Sequence, residues 1–131
     1  MELTKWAAGL QYVVLRQSRM ASPDSVALAL TDEHAGGPPE AFIDMPEFCL
    51  LHGPPKGGIH LTLPPDVAAR AMELGWGEPH PAARTGSVSP RLMALYAPRD
   101  DREVAAILAL IQVSWRFALG ELSSERGRPR I

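Results

Sequence analysis

The feature that most limits what this chain can become is its last long apolar stretch. Val104, Ile107, Leu108, Ile111, Trp115, Ala118 and Leu119 recur at helical spacing, and Leu110 and Phe117 widen the stripe. A helix that is apolar around so much of its circumference must be largely buried. Asp100 and Glu103 form a D-x-x-E pattern, close to a capping box, at its start. At 131 residues the chain is one domain. Unless a second copy covers it, the surface that buries this helix comes from the rest of the same short chain.

That surface reads as a small sheet. Ile59-His60-Leu61-Thr62-Leu63 alternates with period two, the cleanest strand signal present. Residues 25–30, 48–52 and 92–97 are short apolar runs that read as strands, the first with a helical turn as its alternative because Ala and Leu favour helix. The 48–52 and 59–63 segments can pair as a hairpin across Gly53-Pro54-Pro55-Lys56-Gly57-Gly58. Pro64-Pro65-Asp66 opens a helix that Gly75 closes. Leu3, Trp6, Ala7, Leu10, Val13 and Val14 follow the i, i+3, i+4, i+7 rhythm and predict a helix over 2–16. Residues 22–24 read as a turn, 31–47 as a surface loop and 76–90 as irregular chain. The expected fold is α+β, a small, mostly antiparallel sheet packed by about three helices on one face. A parallel βαβ crossover after Ile59 is also permitted. The domain spans 1–122, with 123–131 as a polar, Arg-rich tail.

Composition removes several function classes. Thirteen basic against fifteen acidic residues give −2, a balance that attracts neither nucleic acid nor an anionic membrane. Eleven of the basic residues are Arg, which with the many alanines fits a high-GC coding bias. Cys49 is the only cysteine, which excludes an internal disulfide and a cysteine-based zinc site and suits a cytoplasmic setting. The first 19 residues lack a signal-peptide pattern, and no apolar run reaches the ~18 residues of a membrane span. GxGxxG, the Walker lysine loop, HExxH and GxSxG are all absent.

Histidine carries what chemistry remains. Alternation puts Ile59, Leu61 and Leu63 on one face and His60 with Thr62 on the other. If the leucine face packs on the helices, His60 points outward or into a cleft, either as a solvated side chain or as an acid–base group. Gly75-Trp76-Gly77-Glu78-Pro79-His80-Pro81 is a stiff loop offering an aromatic wall, a carboxylate and an imidazole. The alternative is a Trp plug with Glu78 and His80 capping backbone. His52 lies close to His60 if the hairpin forms, yet the His52, His60, His80 spacing matches no zinc pattern, so no metal site is assigned. Arg99 either holds an anionic group or pairs with Asp100, Asp101 or Glu103. Cys49, flanked by Phe48 and Leu50, reads as a buried structural thiol.

Gly58-Ile59-His60-Leu61 with Leu63-Pro64, then Gly75-Trp76-Gly77-Glu78-Pro79-His80, then Tyr96-Ala97-Pro98-Arg99-Asp100 with Glu103, resemble in order the bacterial and fungal small proteins of the luciferase-domain family, whose function is unknown. The likeness covers about half the chain. Gly58 stands where members often carry a second histidine. The resemblance implies a common small α+β domain with His60 and His80 at the motif positions. It implies no light emission.

The residues point to a small-molecule-binding domain. His60, His80 and Glu78 are its catalytic candidates, for acid–base chemistry without a cofactor, and Trp76, Tyr96, Arg99 and His52 its ligand-binding candidates. The expected partner is a small organic ligand, with no nucleic acid and no membrane. The competing expectation is a non-catalytic interaction module in which the apolar C-terminal helix buries a face against a second copy.

Overall fold

A computed structural model describes residues 3–17, 24–53 and 58–122. In chain order the elements are α1 (Leu3–Ala7), β1 (Val13–Gln17), β2 (Val26–Leu30), β3 (Glu47–Leu51), β4 (Ile59–Thr62), α2 (Pro65–Glu73), β5 (Gly77–Pro79), β6 (Leu92–Leu95) and α3 (Asp101–Leu119), with short 3-10 turns between some of them. The six strands form one sheet in the order β1-β2-β3-β4-β6-β5, and every adjacent pair is antiparallel. The fold is α+β, and the β3–β4 hairpin forms.

The crossover after Ile59 takes a split form. β4 and β5 run in the same direction, but β6 inserts between them and pairs antiparallel with both. The N-terminal helix ends early. Where periodicity predicts a helix over 2–16, α1 stops at Ala7 and the chain turns at Tyr12, with φ of 69°, into β1. The run Val13-Val14-Leu15 fits an apolar helix stripe and a strand equally well. Pairing with β2 satisfies its backbone, which decides for the strand. Residues 77–79, expected to be irregular, form β5. The 31–47 stretch is only partly a surface loop, since Ala41 and Phe42 are buried and Glu47 already belongs to β3. The turn expected at 22–24 has Ser22 and Pro23 outside the described residues, as are 54–57 and the tail from 123.

The register sorts the two faces. Leu28, Cys49, Leu61 and Met93 are successive cross-strand partners and join the core. Ala7 of α1, Ala71 of α2, and Ile107, Ile111, Phe117 and Ala118 of α3 meet them there. Asp100 accepts the Glu103 N–H at 2.9 Å and caps α3, while Gly120 ends it with φ of 92°. Inside, the Thr62 hydroxyl donates to the Ala41 carbonyl at 2.8 Å and lies 3.3 Å from the Ser114 hydroxyl of α3. No buried side-chain polar atom lacks a partner among the described residues.

Candidate functional site

The opposite face carries the histidines. Arg16, Ala27, Leu50, His60, Ala94 and Glu78 are cross-strand partners in one row that runs over all six strands. Partners in such a row project to the same side. His52 lies two residues beyond Leu50 and His80 two residues beyond Glu78, so the sheet brackets His60 with them. Ala94, between β4 and β5, contributes only a methyl group to the space there. The rings meet. His52 Nε2 is 3.1 Å from His60 Nδ1, with ring centroids 4.4 Å apart. The His60 and His80 centroids are 4.6 Å apart in an edge-to-face arrangement. All three side chains are half-buried.

The hydrogen bonds restrict where protons sit. The Ala82 backbone N–H donates to His80 Nδ1 at 3.0 Å. A backbone N–H is only ever a donor, so this nitrogen holds a lone pair and neutral His80 carries its proton on Nε2. His80 also caps the 3-10 turn Pro81–Arg84 through this contact. Between His52 Nε2 and His60 Nδ1 lies a single proton, since one nitrogen must donate and the other accept. His52 Nδ1 in turn lies 2.8 Å from the hydroxyl of Ser25, which is 2% exposed. If neutral His60 holds the shared proton, its Nε2 is a base. If His52 holds it, the Nε2 of neutral His60 is a donor. The cluster can thus present either polarity without a net charge.

The three rings come together as the hairpin spacing allowed, but His52 and His60 aim nitrogens at each other rather than at a common point. Among the described residues no group of three or more His, Cys, Asp or Glu is arranged to hold a metal ion. Glu78, on the His60 row, is exposed, and among the described residues its carboxylate has no partner.

Trp76, Tyr96 and Arg99 line a different space. A cleft of about 560 Å³ opens where the chain leaves α2 and enters α3, with Leu74 and Ile107 adding apolar surface. The histidines and Glu78 are not among its lining residues. Arg99 is already engaged, since its Nε and Nη2 donate to both Glu103 oxygens at 2.8–3.2 Å. These side-chain bonds, with the Arg99 backbone N–H, hold the Glu103 carboxyl below its ordinary value and raise that of the guanidinium. Cys49 lies in the core, where burial pushes its thiol far up and keeps it neutral.

Sequence reasoning missed the buried Glu47. Its carboxylate accepts from Arg16 Nε at 2.9 Å, and Glu47 is fully buried while the Arg16 side chain is 32% exposed. The two lie in strands separated by β2, whose Ala27 and Ala29 leave room for the arginine to cross. A carboxylate at the head of an apolar strand was the available signal, but its distant partner was not.

A family model for the luciferase domain matches residues 46–114. That stretch holds β3, β4, α2, β5 and β6, His52, His60 and His80, and every residue that lines the cleft. No curated protein and no solved structure matches the chain.

Proposed function

The chain belongs to the luciferase-domain family, and from that premise we propose that it is a small-molecule-binding domain whose reactive groups are His60 and His80. The observation that carries this reading is the contact chain Ser25–His52–His60–His80, with the His80 tautomer set by a backbone donor. An imidazole whose second nitrogen is held by a neighbour is a pre-positioned acid or base. His60 moves the proton and His80 donates from Nε2 to an oxygen of the ligand. His52 positions His60, and Glu78 meets the polar end of the ligand from the same face. The reaction class is cofactor-independent acid–base chemistry. The lone cysteine, which leaves no internal disulfide to form, supports a cytoplasmic setting.

The test is a thermal-shift screen of small carboxylates and ketones against the wild type and the His60→Ala/His80→Ala double variant. Compounds that raise the wild-type Tm are expected to lose most of their effect on the double variant. If every compound that stabilises the wild type stabilises the double variant equally, the reading is overturned.

A second reading, the interaction module, rests on a different observation. β1 is an edge strand, and Val14 and Leu15 in it, with Tyr12 just before it, are 39–44% exposed. Arg16, the one charge on β1, is engaged by the buried Glu47, and an edge with no other charge and no proline invites pairing with another chain, here a second copy. Sedimentation that shows a dimer for the wild type and a monomer for Leu15→Asp would favour it.

A further inference from the structure

Large exposed apolar side chains gather in few places on this molecule. One is the β1 edge. Another is the cleft between the end of α2 and the start of α3, where Leu74 and Tyr96 are 50% and 54% exposed. At about 560 Å³ this cleft falls in the size range of small-molecule sites, ~300–1,000 Å³. Trp76 and Tyr96 supply flat surfaces, and the buried Ile107 lies beneath.

Its four charged residues divide into spent and available. Glu103 gives both oxygens to Arg99, and Asp100 caps the Glu103 N–H. Arg99 is consumed by the same bidentate pair. Arg102 also lines the cleft, is exposed, and has no ion pair or side-chain hydrogen bond among the described residues. The cleft therefore sets the rings of Trp76 and Tyr96 in the same space as one uncommitted guanidinium.

We infer that this cleft is a binding site for a planar aromatic monocarboxylate, its ring against Trp76 and Tyr96 and its carboxylate on Arg102. A guanidinium and a carboxylate match in planar, two-pronged geometry, and aromatic faces stack on flat rings. A doubly charged ligand is disfavoured, because Arg99 can answer a second anionic group only by abandoning Glu103. The site is separate from the histidines and stands whether or not they react.

2-Naphthoate and its neutral counterpart 2-naphthamide test it by calorimetry on the full chain. The wild type is expected to bind the acid about tenfold or more tightly than the amide, as loss of one charge-assisted pair requires. Arg102→Gln should bring the acid down to the amide and leave the amide unchanged. Tyr96→Ala, at a half-exposed position that the core does not need, should weaken both. His60→Ala should leave naphthoate binding intact even if it abolishes the ligand effects expected at the histidines. Absence of naphthoate binding at millimolar concentration, or acid binding indifferent to Arg102→Gln, would overturn the inference.

Discussion

The histidine cluster and the cleft are made from opposite materials. The cluster has polar rings in contact, with a backbone donor that fixes the His80 tautomer and one proton shared between His52 and His60. The cleft has space between aromatic rings, and two of its four charged side chains, Arg99 and Glu103, are paired with each other. One is prepared for chemistry, the other for occupancy. Both depend on β5, which follows Trp76 and precedes His80. A single three-residue strand at the sheet edge thus holds the two regions in register.

The largest effect should come from breaking that shared support. A Cβ at Gly77 would meet the Ala94 carbonyl oxygen and lie 2.9 Å from the Leu95 Cα. Backbone cannot yield there as a side-chain tip would. Gly77→Ala is expected to cost about 2–3 kcal/mol in urea denaturation, and to disturb the His60–His80 contact and the Trp76 environment together. Loss of one without the other would show that the two regions are not coupled through β5.

A smaller effect separates the two jobs of His80. His80→Ala removes the cap on the Pro81–Arg84 turn and should cost about 1 kcal/mol. Asn can accept the Ala82 N–H, so His80→Asn should recover most of that stability. It should not recover ligand effects that need an imidazole. Full functional rescue by Asn would make His80 a cap and nothing more.

The smallest effect belongs to the cleft rim. The Glu103 carboxyl is held below its ordinary value by Arg99, so it binds fewer protons folded than unfolded. Its contribution is complete above the ordinary carboxylate pKa, ~4.3, and is lost as pH falls through the lowered folded value. Because the pair is at the surface, salt should weaken it further. The Tm gap between wild type and Glu103→Gln should be small at neutral pH and shrink as pH falls below the ordinary carboxylate range. A gap that persists in acid would mean Glu103 acts by packing rather than by charge.

Much of the fold was legible because local pattern and burial agreed. The alternation in 59–63 gives β4, and the stripe from Val104 gives α3, because each period matches one face of its element. The N-terminal segment was misread for the same reason in reverse. Leu10, Val13 and Val14 satisfy helical spacing, but only the presence of β2 beside them makes extension the better way to satisfy their backbone. The Arg99–Glu103 pair was among the alternatives visible at i, i+4, whereas Arg16–Glu47 spans 31 residues and has no local trace.

For the candidate site the division is similar. The amino-acid sequence by itself determined which groups are available: His52 and His60 flanking a hairpin, and His80, Glu78 and Trp76 in one stiff loop. It could not decide that His80 meets His60 while Trp76 turns to a separate cleft, because that depends on β6 inserting between β4 and β5. Nor could it assign the protons, since the donor that fixes the His80 tautomer is a backbone N–H, a group every residue but proline has. Residue types set the possible chemistry. Strand order and hydrogen-bond direction, which exist only once distant segments pair, set which of it is assembled.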